Sequence, residues 1–377
     1  MKGDASVGPG GEGGAEAATG DGGSTSPDGG GTSPDGGSSS EGGAPVGNTS
    51  SAASWFPSTM YFNQPIDTAP VDSNSGTIIS TWVSNGGWGD GHIQIDFSLD
   101  VYYADSTSLR VPFTQNSNLA LPDSDVPTTI PIAPNLTAAN PAPGFECVAG
   151  GSTTCDDCHY LVVDPPNHQL IEVYGATTDG TSFSTSTQPT GCGRSAAIWD
   201  FDKSYPGNLR GDVCSSADAS GAIMAPVLFT VEEVAAGHID HAIRFILPNA
   251  AIQYQQYVRP ATHGTGGSAW AMTNGVPYGA RFRLKSSFDT STFTASAQVV
   301  LAAMKKYGII LQDGGTIALT AKSDAFSTLK WANYLGSHDL EGPQPTDFEM
   351  VDATYGSDME PSSTLHSFTS YTCVRNP

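Results

Sequence analysis

The chain has 377 residues, and its 38 Asp and Glu outnumber its 15 Lys and Arg, which gives a formal net charge of −23 at pH 7. A protein this acidic repels a phosphate backbone, so the composition argues against nucleic acid as a partner. No run of eighteen apolar residues occurs, and the sequence therefore predicts no membrane-spanning helix.

Residues 1–53 consist mainly of Gly, Ser, Asp, Pro, Thr and Ala, with almost no large apolar side chain. Such a segment cannot bury enough surface to offset the entropy of an ordered chain, so we predict a disordered tether. From Trp55 onward aromatic residues recur, and no second change of composition is visible. We therefore expect residues 54–377 to form one domain.

Strand patterns dominate this domain. The segment His92–Val101 alternates polar and apolar residues, which is typical of a half-buried strand. Two apolar runs flank Pro165–His168, and this pattern predicts a β-hairpin over 159–174 with Glu172 and Tyr174 on one face. Further strands are predicted at Gly76–Val83, His241–Leu247, Gln256–Pro260 and Ala280–Ser286.

Helical patterns are few. Thr230 and Glu233 form a capping-box pattern ahead of Gly237, which predicts a short helix and makes Glu233 a cap. Apolar residues at helical spacing predict a second helix over Ser291–Tyr307, and Asp324–Leu335 is a third candidate. Because short strands outnumber helices, the expected fold class is all-β: a two-sheet, jelly-roll-like β-sandwich with two or three peripheral helices.

The cysteines indicate the redox environment. All six lie in the predicted domain, at Cys147, Cys155, Cys158, Cys192, Cys214 and Cys373. An even number favours disulfides in an oxidising compartment, and fifteen pairings are open. The competing interpretation is a metal site at Cys155-Asp-Asp-Cys158-His159, but the second ligand pair of a structural zinc site is missing. Disulfides are therefore preferred.

Several segments have a distinctive sequence. They are Ala197–Asp200, Ser216–Ala219, Glu233–Phe245, Gly279–Asp289 and Leu301–Gly308. Together they resemble an uncharacterised family of secreted bacterial proteins. The resemblance implies an extracytoplasmic location and one continuous domain, and it supplies no activity. The chain departs from the family pattern at Arg259 and Thr262, where an aromatic residue and an arginine are expected, so its specificity would differ if this segment contacts a ligand.

Cationic side chains are concentrated in one part of this acidic chain. If the Arg-Phe-Arg-Leu-Lys segment that ends at Lys285 is a strand, then Arg281, Arg283 and Lys285 share one face. Together with Arg244 and Arg259, these side chains are predicted to bind the carboxylate, sulfate or phosphate groups of a ligand. The equally weighted alternative is that they form ion pairs with the protein's own carboxylates.

Carbohydrate chemistry fits the remaining polar residues best. Hydrolysis of a glycoside needs two carboxyl groups on one surface, and elimination from a uronate needs a cation and a His, Tyr or Lys base. The predicted site residues are Glu172, Asp218, His159, His241 and His263 for catalysis and Tyr174 for substrate binding. In the predicted strand His241 and Arg244 lie on opposite faces, so one of the two is expected to be structural. No metal site or cofactor is predicted, and structural calcium is left open.

The leading functional hypothesis is an exported glycoside hydrolase or polysaccharide lyase that acts on a polysaccharide, with an anionic one slightly favoured. The alternative is a non-catalytic glycan-binding or cell-surface adhesion domain. An enzyme needs a carboxylate or imidazole of shifted pKa inside a cleft, whereas a binding domain needs only aromatic and polar groups. Under both hypotheses the partner is a glycan and the location is extracytoplasmic.

Overall fold

The computed structural model describes residues 51–115, 123–133, 159–178, 183–185, 195–265, 275–355, 360–370 and 372–377. In these ranges many short strands accompany three α-helices, which confirms the prediction of a mainly β fold. The α-helices are α1 (Ser75–Ser84), α2 (Val231–Ala236) and α3 (Ala295–Lys306). The strands are β1 (Ile95–Leu99), β2 (Val101–Tyr103), β3 (Arg110–Thr114), β4 (Thr129–Pro131), β5 (His159–Asp164), β6 (Gln169–Tyr174), β7 (Ala176–Thr178), β8 (Phe183–Thr185), β9 (Ser195–Asp200), β10 (Gly211–Asp212), β11 (Ile243–Leu247), β12 (Ile252–Tyr257), β13 (Val276–Tyr278), β14 (Arg281–Leu284), β15 (Ile309–Gly314), β16 (Leu319–Lys322), β17 (Phe348–Met350), β18 (Thr354–Tyr355), β19 (Glu360–Pro361), β20 (His366–Ser367) and β21 (Val374–Arg375).

Two sheets contain most of the longer strands. The six-stranded sheet has the order β1-β16-β11-β15-β14-β17, and a four-stranded sheet has the order β2-β5-β6-β9. The larger sheet is mixed, because β1 runs parallel to β16 and β11 parallel to β15, while β14 runs antiparallel to both of its neighbours. Asp100 separates β1 from β2, so the chain passes from one sheet to the other through a single residue. The smaller sheets are β13-β12-β20, β4-β3-β8-β7, β10-β21 and β18-β19.

Most strand predictions are confirmed. β5 and β6 pair as the predicted hairpin, with a 3₁₀ turn at Pro165–Asn167. The alternating segment that begins at His92 forms β1 and β2, and the strands predicted after His241 and Ala280 are β11 and β14. The strand predicted at Gln256–Pro260 is displaced, since β12 runs from Ile252 to Tyr257.

Two helix predictions are confirmed, and their ends are set by side-chain caps. The Thr230 hydroxyl accepts from the Glu233 N–H, and the Glu233 carboxylate accepts from the Thr230 N–H, so the predicted capping box begins α2. In α3 the Thr294 hydroxyl accepts from the Ala297 N–H, which begins the helix a few residues later than predicted.

The prediction of a strand at Gly76–Val83 is wrong, because this segment forms α1. The helix buries the Trp82 ring, whose centroid lies 4.6 Å from that of Trp88 and 5.3 Å from that of Phe282. Burying a large apolar side chain contributes about 1.5–3 kcal/mol, whereas each Thr, Ile or Val disfavours a helix by only a few tenths of a kcal/mol. Tertiary packing of Trp82 therefore outweighs the strand preference of its neighbours.

The prediction of a helix at Asp324–Leu335 is also wrong, since the segment contains only a 3₁₀ turn at Trp331–Asn333. The Asp324 carboxylate accepts a hydrogen bond from the Trp331 N–H at 2.8 Å. In an α-helix the same N–H would instead donate to the carbonyl oxygen four residues earlier. Trp331 is buried beside Phe97, with ring centroids 4.7 Å apart. The chain wraps around this side chain instead of continuing as a helix.

The interior is divided into clusters on the two faces of the larger sheet. One face of β15, with Ile309 and Leu311, packs with α1 and α3. The opposite face, with Ile310, packs with Leu170 of the four-stranded sheet and with residues 52–62. Side chains on this second face therefore lie between β15 and the four-stranded sheet, which is where β6 and β11 also present polar residues.

The folded part of the chain begins before the predicted boundary. Ala52 and Ala53 are 2% and 3% exposed in the cluster next to Ile310, and the Ser51 hydroxyl accepts from the Ala53 N–H at the start of a 3₁₀ turn. Residues 51–53 are thus packed against the described part of the chain, on the N-terminal side of the predicted boundary at residue 54. Residues 1–50 lie outside the described residues, and the tether stays a prediction for them.

A disulfide joins Cys214 to Cys373, which confirms the preference for disulfides at this pair. The other four cysteines, including those of the alternative metal motif, lie outside the described residues. In the described ranges no helix has the length and apolar character needed to cross a membrane.

Arg281 of the predicted cation set binds the protein's own backbone. It lies on β14 and is 0% exposed, while Phe282 beside it enters the core as predicted. Its guanidinium donates to the carbonyl oxygens of Tyr307, Tyr61 and Gln64 at 2.8, 2.7 and 2.8 Å. Arg281 therefore holds residues 61–64 against the sheet.

The next two cations on the same side of β14 have similar partners. Arg283 donates to three main-chain carbonyl oxygens of residues 66–69 at 2.7–2.9 Å and forms an ion pair with Glu349 at 2.7 Å. Lys285 donates to the carbonyl oxygen of Thr346 at 2.7 Å. The predicted shared face is present, and the groups it contacts are carbonyl oxygens of the chain and the carboxylate of Glu349.

We predict that Arg281→Met lowers the free energy of unfolding by at least about 3 kcal/mol, because three buried carbonyl oxygens would lose their donor. The matched control is Lys285→Met, which removes one hydrogen bond near the surface and should change the free energy by less than about 1 kcal/mol. Urea denaturation followed by circular dichroism measures both. Equal, small effects for the two variants would contradict the role assigned to Arg281.

Candidate functional site

Arg244 is the centre of a buried polar network. On β11 it points to the same side as Ala242, which belongs to the cluster shared with the four-stranded sheet. Its guanidinium donates to Asp218 at 2.7 Å, to the Thr320 hydroxyl at 2.9 Å and to Asp313 at 2.8 Å. A buried charge is tolerated when it is paired and hydrogen-bonded in this way. Arg244 thus connects the loop after β10 to β15 and β16.

Glu172 lies close to this network. Its carboxylate accepts hydrogen bonds from Trp199 Nε1 at 2.9 Å and from the N–H groups of Met224 and Ala225 at 2.9 and 2.7 Å. Burial raises the pKa of Glu172 to about 7, these donors oppose the shift, and the nearby Asp218 carboxylate adds to it. Glu172 and Asp218, the two carboxyl groups predicted for catalysis, are thus brought together, but they are 0% and 2% exposed.

The predicted histidines His159 and His263 lie in different parts of the fold. His159 Nε2 is 2.8 Å from the carbonyl oxygen of Ala217, and the ring centroids of His159 and Tyr174 are 5.2 Å apart. His263 is 3% exposed, with Nδ1 3.4 Å from the carbonyl oxygen of Gly264. His159 and Tyr174 therefore border the Asp218 loop as a pair, and His263 is a buried residue of the segment after β12.

The predicted ligand-binding arginines are engaged inside the protein. Arg259 pairs with Asp212 at 2.8 Å and with Glu360 at 3.2 Å. Arg244 and Arg283 also have carboxylate partners. Internal ion pairs, the alternative that the sequence left open, thus account for the charges of these three side chains. A ligand anion would have to displace them.

A cleft of about 520 Å³ opens between residues 51–63 and α2 with the loop that follows it. One of the predicted site residues, His241, is part of its lining. The lining comprises the carboxylates of Glu232, Glu233 and Asp240, the imidazoles of His238 and His241, the hydroxyls of Ser51, Ser54 and Ser58, the amide of Asn63 and the apolar side chains of Ala53, Phe56 and Ala236. We call it the α2 cleft.

His241 forms an ion pair with Glu233 in the wall of the α2 cleft. Its Nε2 is 3.1 Å from one Glu233 oxygen, and its Nδ1 is 2.7 Å from the carbonyl oxygen of Ala242. Both neighbours are acceptors, because Glu233 itself accepts from Thr230; both ring nitrogens must therefore carry a proton. Burial acts to lower the pKa of His241, but the Glu233 carboxylate outweighs it, so the pKa is raised and the protonated imidazole is favoured.

Glu232 has its own cationic partner. Lys322 Nζ lies 3.4 Å from Glu232 Oε2, an ion pair that does not reach hydrogen-bond geometry. The same ammonium lies 5.2 Å from the centroid of the Tyr103 ring. Burial raises the pKa of Tyr103 far above its usual range, and the carboxylates of Glu233 and Glu232 add to the shift. Each of the two glutamates thus borders the cleft with a cationic partner beside it.

The sequence identified this site only in part. The capping box correctly assigned Glu233 as a cap, and the structure adds its ion pair with His241. The wall formed by residues 51–63 was missed, because three of these residues were assigned to the tether. A signal was present, since Trp55 and Phe56 are large side chains directly after a segment without any.

A second, smaller depression of about 350 Å³ has the opposite charge. Lys203, Arg210 and Arg375 line it together with Asp125 and Tyr205. Both arginines bond the Asp125 carboxylate, Arg210 at 3.2 Å and Arg375 at 2.5 Å. Lys203 is exposed at its rim. We call it the cationic cleft.

Comparison with family models, curated proteins and solved structures finds no match for the chain. The resemblance to an uncharacterised family of secreted bacterial proteins therefore stays a prediction. Function has to be inferred from the charges, shapes and bonds of the two clefts and the buried network.

We predict that Glu172 makes stability depend on pH. Because burial raises its pKa from 4.5 to about 7, the folded protein retains a proton that the unfolded chain releases. The stability that this group contributes is therefore present below about pH 4.5 and is lost as the pH rises to about 7. Glu172→Gln removes this contribution, so the difference in unfolding free energy between wild type and variant should fall by about 2–3 kcal/mol from pH 5 to pH 8.

Urea denaturation at the two pH values measures this difference. The control is Asp90→Asn, at an exposed carboxyl group, for which the difference should be the same at both pH values. A pH-independent difference for Glu172→Gln would show that the pKa of this carboxyl is not raised.

Proposed function

We propose that the protein is an extracytoplasmic glycan-binding protein and that the α2 cleft is its binding site. The observation that carries the proposal is the lining of this cleft, in which acidic side chains, serine hydroxyls and small apolar surfaces occur together. Carboxylates and hydroxyls accept hydrogen bonds from sugar hydroxyls, and apolar side chains cover the C–H faces of a ring. A ligand with many hydroxyl groups, such as a sugar, can contact the carboxylates, the hydroxyls and the apolar side chains together.

The charge of the cleft favours an uncharged or amino-bearing glycan over an anionic one. Glu232, Glu233 and Asp240 contribute three carboxylates to the lining, and the cations beside them, Lys322, His241 and Lys306, are each already paired with one of these carboxylates. An anionic sugar would meet carboxylates whose cations are already engaged, which disfavours its binding. The earlier preference for an anionic polysaccharide rested on arginines whose donors bond the protein itself.

Binding is favoured over catalysis because the ionisable groups of the cleft are already committed. Both nitrogens of His241 donate to protein acceptors, and Glu232 is paired with Lys322. The carboxyl group with a raised pKa, Glu172, is buried and is not part of the lining. Acid–base catalysis of glycoside cleavage needs a proton donor that reaches the substrate.

A hydrolase remains the second candidate, and one observation favours it. The side chain of Glu233 is 13% exposed and forms an ion pair with the buried imidazole of His241. A carboxylate in that setting can accept a proton from water. Release of reducing ends from a bound glycan, and loss of that release in Glu233→Gln, would establish this activity.

The extracytoplasmic location and the finer architecture belong to the same proposal. The Cys214–Cys373 disulfide supports an oxidising compartment. A tether formed by residues 1–50 would hold the domain away from its point of attachment. For the domain itself we retain the two-sheet, jelly-roll-like β-sandwich as the proposed arrangement.

The binding proposal predicts that Ala236→Trp weakens glycan binding about tenfold or more, because an indole at this exposed position fills the cleft. Ala235→Trp is the matched control, since Ala235 is also exposed on α2 but does not line the cleft. Retention on immobilised neutral, amino-bearing and acidic polysaccharides, followed by calorimetry on the best ligand, measures the effect with the full chain.

Three results would contradict the proposal. Binding that neither tryptophan changes would remove the α2 cleft as the site. Binding of acidic polysaccharides that Lys203→Glu abolishes and Ala236→Trp leaves intact would move the site to the cationic cleft. An absence of retention on every polysaccharide would remove the glycan hypothesis itself.

A further inference from the structure

Three side chains from two distant parts of the chain meet at the surface near β1. His92 precedes β1, and His338 and Glu341 belong to the loop between Trp331–Asn333 and Pro345–Asp347. Glu341 Oε1 lies 2.7 Å from His338 Nδ1 and 3.3 Å from His92 Nε2. The three potential ligand atoms all lie within 4.8 Å of one another. In the described part of the chain, no other group of His, Cys, Asp and Glu meets this condition.

We propose that His92, His338 and Glu341 form a binding site for a divalent transition-metal ion, with Zn²⁺ as the best-suited ion. Two imidazole nitrogens and one carboxylate oxygen are ligands that Zn²⁺ and its neighbours prefer. Ca²⁺ and Mg²⁺ favour sites made of oxygen atoms, so this donor set selects against them. None of the three residues lines the α2 cleft, and the proposal is independent of glycan binding.

The spacing of the donor atoms fits a tetrahedral ion after small side-chain movements. Ligands about 2.0–2.1 Å from such an ion lie about 3.3–3.4 Å from one another. The separation between His92 Nε2 and Glu341 Oε1 already has this value, at 3.3 Å. The closer contact between His338 and Glu341 must open slightly, and their side chains are 57% and 49% exposed and can rotate.

The backbones that carry the three side chains are held together independently of any ion. The Ile95 N–H donates to the carbonyl oxygen of Ser337 at 2.9 Å, next to His338 in the chain. Trp88 Nε1 donates to the carbonyl oxygen of Pro343 at 2.9 Å, two residues after Glu341. Trp88 is fully buried, so this second contact fixes the loop against the core. Binding would therefore require little ordering of the backbone, which favours affinity.

This arrangement differs from the ordinary His–carboxylate pairs on the surface. His168 pairs with Asp202 at 3.2 Å, and His238 pairs with Asp240 at 2.9 Å. Each of these pairs offers only two ligand atoms, whereas His92, His338 and Glu341 offer three, and His92 lies far from His338 in sequence. A bound ion would link the segment before β1 to the loop after β16, and a water molecule can take the fourth position.

Isothermal titration of the full-length protein with ZnCl₂, after removal of metals with a chelator, tests the site. We expect one ion per chain with a Kd of about 10 µM or tighter, and a rise of about 3–5 °C in Tm at saturation. His338→Ala and Glu341→Gln should each weaken binding at least tenfold and abolish the rise in Tm. Both positions are exposed, so the variants should fold, and circular dichroism checks that they do.

The matched control is His168→Asn, which removes an exposed histidine of a two-residue pair. Asparagine tolerates the φ of 51° at this position, and zinc binding should remain as in the wild type. Zinc that binds with unchanged affinity after both His338→Ala and Glu341→Gln would lie elsewhere and would overturn the assignment. A wild-type Kd weaker than about 1 mM would also overturn it.

Discussion

The buried guanidinium of Arg244 needs partners that compensate its charge, and this need constrains how the surrounding segments pack. An unpaired charge in the interior would cost several kcal/mol, so Asp218, Asp313 and Thr320 have to converge on it. These partners come from a loop and from the two strands on either side of β11. The same contacts fix Asp218 near Glu172, and the burial of Glu172 keeps its pKa near 7. Strand order and electrostatics are therefore coupled at one side chain.

Because cationic side chains are engaged inside the protein, the charges that remain in the α2 cleft are mainly negative. Fifteen Lys and Arg serve a chain with 38 Asp and Glu, and several of the arginines are buried. Arg281 and Arg283 bind carbonyl oxygens within residues 61–69, which overlap the end of the segment 51–63 that forms one wall of the α2 cleft. The cations predicted to bind a ligand thus position the wall of a cleft whose own charges are mainly negative.

Glu233 shows how a local structural role and a site role can coincide. Its carboxylate completes the capping box of α2 by accepting from Thr230, and the same carboxylate stabilises the His241 cation in the cleft wall. The helix dipole also stabilises a negatively charged side chain in the first turn of a helix, which is where Glu233 lies. A substitution at Glu233 would therefore change helix stability and cleft charge together, which is why the binding test uses Ala236 and its neighbour Ala235.

Local patterns in the sequence determined the mainly β composition, the hairpin of β5 and β6, the caps of α2 and the alternation along β14, because each depends on residues a few positions apart. Tertiary structure decided the rest. Trp82 and Trp331 turned a predicted strand into a helix and a predicted helix into a wrapped loop through contacts with distant aromatic rings. The partners of Arg283 and the contact between His92 and His338 depend on where distant segments of the chain lie. The local spacing of apolar and polar residues carries no information about that.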